Sequence, residues 1–145
     1  MVMGTLVKSL QNIMRNDAGV NGDAQRIEQM TWLFFLKIYD AKEEEWELVD
    51  DSYYSVIPER LRWHSWAVDH RDGKALTGDE LLSFVNNDLF PSLSKLDLAP
   101  DVPLKQQVVK AAFTDANNYM KDGTLLRQVV NAIDEAVDFE DYKEK

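Results

Sequence analysis

The feature that most constrains this chain is one long segment, roughly residues 24–48, whose apolar side chains cover nearly every side of a helix. They recur at steps of three and four, which is the helical period. A helix that is apolar nearly all round is typical of a buried, central helix. We therefore expect other helices to pack around this one, with Asp23 as its N-cap. The main stripe and the residues that widen it are Ile27, Met30, Phe34 and Ile38, with Trp32, Leu33 and Leu36.

Four other segments also show helical periodicity. The first spans roughly residues 5–16. The second follows a predicted capping box, Thr77 to Glu80, and should stop before Pro91, since proline disfavours a helical residue before it. The third opens at residues 101–103 and runs through Phe113. The fourth is expected to be capped by Thr124, to reach Val137, and to be followed by a charged tail over residues 134–145.

The remaining long segment, residues 50–76, has no clear period, although Pro58 could open a short helical turn. We find no alternating pattern of useful strand length. The sequence therefore predicts an all-α fold. We expect an irregular helical bundle of five to six helices around the long central helix, with a long loop-rich middle segment. At 145 residues we expect a single helical domain, residues 1–145.

Composition narrows the environment and the function. The chain lacks cysteine, a signal peptide and any apolar run of membrane-spanning length, so we expect a soluble, cytoplasmic protein with no membrane partner. Its net charge of −10 repels a phosphate backbone unless a local patch overrides the mean. This charge argues against tight nucleic-acid binding by the chain alone.

Signals of catalysis are missing from the sequence. We find no phosphate-binding glycine loop, no His-Glu-x-x-His and no serine elbow, and His64 and His70 lack a nearby ligand pattern. The acidic stretch Lys42 to Glu47 reads as a solvated helix end, because adjacent helical carboxylates fan out. We therefore expect no catalytic residue, no metal site and no cofactor site in this segment.

One segment concentrates basic and aromatic side chains in this acidic chain. Arginine and lysine can neutralise phosphates, and tryptophan can stack on bases, so the segment is a candidate contact surface for DNA or a partner. The alternative is that the tryptophans anchor a loop onto the helices while the arginines pair with the acidic helix end. Nearby acidic residues favour the alternative, because they nearly cancel the local charge. The candidate contact residues are Arg60, Arg62, Trp63, Trp66, Arg71 and Lys74.

The order of helices and several phrases resemble the N-terminal domain of the modification (methyltransferase) subunit of type I restriction-modification systems. The phrase at residues 32–40, WLFFLKIYD, resembles the core of that family's long helix. Residues 56–63, VIPERLRW, resemble its loop around a proline and a tryptophan, and the helix from Leu125 is followed by Asp138-Phe139. The resemblance covers nearly the whole chain.

The resemblance also implies what this segment lacks. The family's methyltransferase domain carries an S-adenosylmethionine loop and an Asn/Asp-Pro-Pro-Tyr/Phe phrase that holds a flipped adenine. No two prolines are adjacent here, so that domain is absent from this chain. The resemblance implies that the full-length subunit is an S-adenosylmethionine-dependent, site-specific adenine-N6 DNA methyltransferase, whereas this segment alone does not catalyse.

The partners that the resemblance implies are a specificity subunit, a second modification subunit and double-stranded DNA in the assembled complex, with the restriction subunit as a further candidate. In that setting the segment would help to clamp DNA and to assemble the complex. A second hypothesis is a stand-alone acidic interaction module, such as an adaptor or a DNA-mimicking inhibitor. A third, a small helical enzyme with a carboxylate site, is disfavoured because no His or Glu-x-x-His pairs converge.

Overall fold

A computed structural model of the protein describes residues 2–68 and 75–136, and the regular structure in these ranges is entirely helical. Three elements, Gly78–Phe84, a π-helical turn at Val85–Leu89 and Phe90–Ser94, follow one another without a break and form one continuous helix, so the described ranges hold six helices. This arrangement confirms the predicted all-α bundle of five to six helices. The elements are α1 (Val2–Met14), α2 (Gly22–Val49), a 3₁₀ turn (Glu59–Leu61), α3 (Trp63–Trp66), α4 (Gly78–Phe84), the π turn (Val85–Leu89), α5 (Phe90–Ser94), α6 (Leu104–Thr114) and α7 (Gly123–Ala136).

Helix α2 is the central helix, as predicted. It packs against α1, α3 and α7, and its Trp32 ring meets Phe90 of α5 edge-on at 4.8 Å and Phe113 of α6 at 6.4 Å. The expectation that its apolar residues are buried all round was wrong, however. Ile27 is 56% exposed and Ile38 is 39% exposed. The neighbouring helices cover the other side of α2, so this edge has no cover in the described residues.

The start of α2 also differs from the prediction. Its N-cap is Asn21, whose backbone N–H donates to Oε1 of Gln25 at 2.7 Å. Gly22 follows with φ of +83°, a conformation that glycine adopts without strain. Asp23 lies inside the first turn, where it pairs with Arg26.

Two other predicted caps need correction. Thr77 is the N-cap of α4 by its extended backbone, but it makes no side-chain cap hydrogen bond, so the predicted capping box is not formed. Helix α7 is capped by Asp122 rather than by Thr124. The Asp122 carboxylate accepts the backbone N–H groups of Thr124 and Leu125 at 2.9 and 3.0 Å.

Pro91 does not end the helix that precedes it. A proline inside a helix lacks an N–H and its ring crowds the carbonyl four residues earlier. Here the preceding turn widens into the π turn, whose longer repeat accommodates the extra bulk, and the helix continues through Ser94.

A buried carboxylate joins distant parts of the chain at one end of the bundle. Asp17, in the turn after α1, accepts backbone N–H groups from Gly19, Lys121 and Asp122 at 2.8 to 3.0 Å. The turn that precedes α2 is thereby fixed to the segment that opens α7. Among the helices of residues 2–68 and 75–136, none combines the length and the apolar character that a membrane crossing requires.

Candidate nucleic-acid interface

The basic and aromatic segment folds as two short helical turns that lie beside the C-terminal half of α2. Pro58, with φ of −52°, precedes the 3₁₀ turn Glu59–Leu61, as the sequence suggested. Arg62 then has an extended backbone, and α3 begins at Trp63. This alternation points successive side chains in different directions, some into the bundle and others outward.

Both tryptophans point inward and are buried. The indole Nε1 of Trp63 donates to Oδ1 of Asp134 on α7 at 2.8 Å, and that of Trp66 donates to the Leu61 carbonyl at 3.0 Å. The same Asp134 carboxylate accepts from Lys37 at 3.0 Å, so Asp134 belongs to the bundle and not to the expected charged tail. As placed, neither ring face is open to stack on a base.

Arg62 is also internal, because its side chain is only 7% exposed. Its Nη1 and Nη2 atoms donate to the Glu47 carboxylate at 3.1 and 3.2 Å, and Nη1 also reaches Glu59 at 3.3 Å. Its Nε lies 3.4 Å from Oε1 of Glu43 and 3.7 Å from Oδ1 of Asp40, distances that bring their charges together without hydrogen-bond geometry. We refer to these five residues as the Arg62 cluster: Arg62, Asp40, Glu43, Glu47 and Glu59.

Pairing of an arginine with the acidic end of α2 was one of the two interpretations of the sequence, but the burial of that end was not expected. Glu43 was expected to be solvated, yet it is fully buried. Three carboxylates from Asp40, Glu43 and Glu47 share one side of α2, since they are spaced by three and four residues. This spacing was the sequence signal for a shared acidic side of α2. The prediction of a solvated helix end was wrong because it treated these residues as adjacent charges.

Burial raises the pKa of the Glu43 carboxyl, while hydrogen bonds from Ser55 and Tyr53 and the charge of Arg62 oppose that rise. The Tyr53 hydroxyl donates to Oε2 of Glu43 at 2.5 Å. Burial likewise raises the pKa of Tyr39 to about 12, with the nearby Glu43 charge adding to the effect. For Arg62, burial alone would lower the pKa, but Glu47, Glu43 and Asp40 outweigh it and the net shift is upward. The Arg62 guanidinium therefore forms its ion pairs with these internal carboxylates.

His64 extends the cluster toward solvent. Its Nδ1 lies 2.9 Å from Oδ1 of Asp40, and its Nε2 lies 2.6 Å from Oε2 of Glu59. Because both ring nitrogens face carboxylate oxygens, the doubly protonated ring is favoured. Burial lowers the pKa of His64, but the two carboxylates outweigh it and the net pKa is raised. In the described residues, no group of His, Asp and Glu has an arrangement suited to a metal ion.

Among the candidate contact residues that the structure describes, Arg60 is the one whose side chain faces solvent. It is more than half exposed, and its Nη2 donates to Oδ1 of Asp88 in the π turn at 2.7 Å. An exposed ion pair of this kind stabilises a fold by only about 0–1 kcal/mol, so a phosphate could compete for the guanidinium. Arg71 and Lys74, like His70, lie outside the described residues.

The geometry therefore divides the candidate residues into two groups. Trp63 and Trp66 anchor the segment, and Arg62 pairs with the acidic end of α2, as the alternative interpretation held. Arg60 points outward and pairs with Asp88, a partner that the sequence analysis did not single out.

Comparisons with known proteins give a consistent answer across the chain. Residues 3–133 match the family model described as the HsdM N-terminal domain. Over all 145 residues the chain is 53% identical to the methylase subunit of the type I restriction enzyme EcoEI from Escherichia coli, and it covers 29% of that protein.

Two solved structures have the same fold. A modification subunit assigned to a type I restriction enzyme from Vibrio vulnificus matches with a TM-score of 0.81 and 34% identity, over 94% of this chain and 31% of that one. A structure described as showing complex assembly and conformational transition of the type I R-M system matches with a TM-score of 0.78 and 30% identity, over 94% and 26%. The chain thus spans less than a third of the length of these relatives.

Proposed function

Because the chain belongs to the HsdM N-terminal domain family, we propose that it works in a type I restriction-modification complex as the helical part of a modification subunit. The observation that carries this proposal is the 53% identity to a type I methylase subunit over all 145 residues. The full-length subunit would transfer a methyl group from S-adenosylmethionine to the N6 atom of adenine in a specific DNA site. We assign no step of that chemistry to residues 1–145, and we propose the cytoplasm as the location.

The role that we propose for this domain is mechanical. It would contribute a surface that helps to close the complex around double-stranded DNA, and it would contact the specificity subunit and a second modification subunit. One of the matched structures is described as showing assembly of the type I R-M system, which supports a role in assembly.

Within this role we propose Arg60, together with Arg71 and Lys74, as contacts to DNA phosphates. The support is the exposure of Arg60 and its weak restraint by Asp88. Arg62, Trp63 and Trp66 would act behind this surface, because their internal contacts fix the segment on which Arg60 lies.

The test is the substitution Arg60→Glu in the assembled complex. Loss of one phosphate contact should weaken binding to specific and unrelated duplexes alike, and should reduce the slope of log K against log salt by about 1. DNA affinity measured at several salt concentrations reads both quantities. Arg15→Glu, a charge reversal at an exposed arginine after α1, is the matched control and should leave the slope unchanged.

An unchanged affinity and an unchanged slope for Arg60→Glu would remove Arg60 from the DNA interface. If the wild-type chain also failed to enter a complex with DNA, and instead bound a basic protein in competition with DNA, the acidic interaction module would be the better description.

A further inference from the structure

A groove runs between α2 and α6. The Phe35 ring meets Phe113 at 6.1 Å, and the Tyr39 hydroxyl donates to the Lys105 carbonyl at 2.9 Å. Since later residues of α2 meet earlier residues of α6, the two helices are antiparallel. Two antiparallel helices with small or apolar residues along their facing edges form the kind of groove in which a third helix packs.

Both edges of this groove expose apolar side chains. On α2, the helical period places the exposed Ile27 and Ile38 on the same edge as Thr31, which lines the groove. The sequence pattern had assigned both isoleucines to the core. On α6, Leu104 is 74% exposed and Val108 is 39% exposed, and the helical period places them on one edge. Single exposed apolar residues are ordinary, but several on both edges of one groove indicate a surface that a partner covers.

One end of the groove deepens into a cavity of about 390 Å³. Its wall includes the aromatic rings of Trp32 and Phe35, and its rim carries the carboxylates of Glu28 and Asp115. Glu28 is positioned there by the Tyr119 hydroxyl, which donates to it at 2.6 Å. Among the described residues, no lysine or arginine lines the cavity. An apolar wall below two carboxylates matches the chemistry of a long basic side chain, whose stem is apolar and whose head is charged.

We propose that the α2–α6 groove docks an amphipathic helix of a partner subunit, which places a lysine or arginine side chain in the cavity between Glu28 and Asp115. The apolar side of that helix would cover Ile38 and Val108. This inference rests on the proposed assembly role and names the surface that serves it.

Charge identifies the occupant as a different polypeptide and not a second copy of this chain. Each copy carries a net charge of −10, and a symmetric contact would bring the carboxylates of two acidic rims together. A basic amphipathic helix is instead attracted to the rim and has an apolar side for the groove.

The first experiment identifies the occupant directly. A photo-crosslinking amino acid is placed at Val108 in the complex reconstituted from the proteins encoded beside this chain, and the crosslinked peptide is sequenced by mass spectrometry. We expect a peptide from another polypeptide with apolar residues at steps of three and four and a neighbouring lysine or arginine. A crosslink to a second copy of this chain, or to DNA, overturns the proposal, as does the absence of any crosslink in the assembled complex.

The second experiment measures affinity with matched variants. Ile38→Glu and Asp115→Lys should each weaken association with the crosslinked partner by about tenfold, because one buries a charge in the groove and the other repels the basic side chain. Leu48→Glu is the control, since Leu48 is an exposed apolar residue on the side of α2 that bears Lys37, away from α6. Reversing the partner's basic residue to Glu should restore the affinity of Asp115→Lys.

Failure of the groove inference can be distinguished from failure of the proposed function. If the chain enters the complex and neither groove variant changes its affinity, the groove inference is overturned and the proposed function stands. If the wild-type chain does not enter the complex at all, the proposed function itself is overturned.

Discussion

The two halves of α2 follow opposite rules. In the N-terminal half, Trp32 and Leu33 are buried, as apolar residues in a bundle should be. In the C-terminal half the fully buried residue is Glu43, while Leu48 and Val49 are 85% and 83% exposed. One continuous helix thus buries apolar side chains against other helices at one end and carboxylates against a single arginine at the other.

The difference lies in how specific each kind of burial is. Apolar burial contributes about 25 cal/mol per Å² wherever the surface is covered, and it requires no particular partner. A buried carboxylate loses several kcal/mol of hydration, which must be offset by a matched charge and hydrogen bonds. The stability of the C-terminal half of α2 therefore depends on the loop that supplies Arg62. The stability of the N-terminal half depends on how much apolar surface the neighbouring helices cover.

The largest effect is expected at the cation of the Arg62 cluster. Arg62→Met should lower the free energy of unfolding by about 3–5 kcal/mol, because it leaves Glu43 and its neighbours buried without a counter-charge. Urea denaturation followed by tryptophan fluorescence measures this change. Arg60→Met, which removes an exposed arginine two residues away, is the matched control and should cost less than about 1 kcal/mol.

Equal costs for the two arginine variants would contradict the comparison, since the cluster would then be no more important than a surface ion pair. The double variant Arg62→Met with Glu43→Leu tests whether the loss comes from the unpaired buried charge. Replacing both charges with apolar groups should recover most of the loss, because the buried cost disappears with the charge.

A smaller but still large effect is expected in the apolar half. Leu33→Ala should lower the free energy of unfolding by about 2–4 kcal/mol, because it deletes buried methyl groups and leaves a cavity. Leu48→Ala should change it by less than about 0.5 kcal/mol, since Leu48 is exposed. The same urea titration measures both, and a similar loss for the two leucines would show that exposure along α2 has been assigned to the wrong side.

The comparison also explains how far the sequence could be read. Helix periodicity was sufficient to predict α1, α2, α6 and α7 to within a few residues, because their buried partners are apolar. Charge alone suggested that arginines of the middle segment pair with the acidic end of α2. Periodicity did not predict that Glu43 is buried, because its partner Arg62 comes from a segment without a period. It wrongly assigned Ile27 and Ile38 to the core. An apolar stripe indicates which residues favour burial, but it does not show whether the domain itself or a partner buries them.

The Arg60 surface shows the same limit for the candidate site. Composition marks the basic and aromatic segment, but it does not indicate which of its side chains point outward. That depends on the extended backbone at Arg62 between two helical turns, which sends Trp63 inward and leaves Arg60 facing solvent. The pairing of Arg60 with Asp88 also depends on the π turn, since Asp88 lies within it. The sequence predicted that the helix ends before Pro91 and did not indicate this turn.

The smallest expected effect is the pH dependence of the cluster's solvent-facing edge. The pKa of His64 is raised in the fold by Glu59 and Asp40, which outweigh burial. A raised pKa means that the folded state binds the proton more tightly than the unfolded chain. The contribution of His64 is therefore fully present below its ordinary pKa of about 6.5, and it is lost as pH rises through the folded value. The pKa of Glu59 is lowered, chiefly by its hydrogen bond with His64, so its contribution is present above its ordinary pKa and lost as pH falls through the folded value.

Unfolding free energies of the wild type and His64→Gln, measured from pH 5 to pH 9, test this sign. The wild type should be more stable than the variant near pH 6, and the difference should shrink as pH rises above about 6.5 and through the raised pKa of the folded state. Because His64 is partly exposed, we expect the difference in unfolding free energy between the two proteins to stay below about 1 kcal/mol. The pKa of Glu43 is also raised, chiefly by burial, so its ionisation lowers the stability of the fold as pH rises. That loss occurs in both proteins and cancels in the difference. A difference that grows with pH would mean that His64 is held neutral, and that its two carboxylate neighbours do not outweigh its burial.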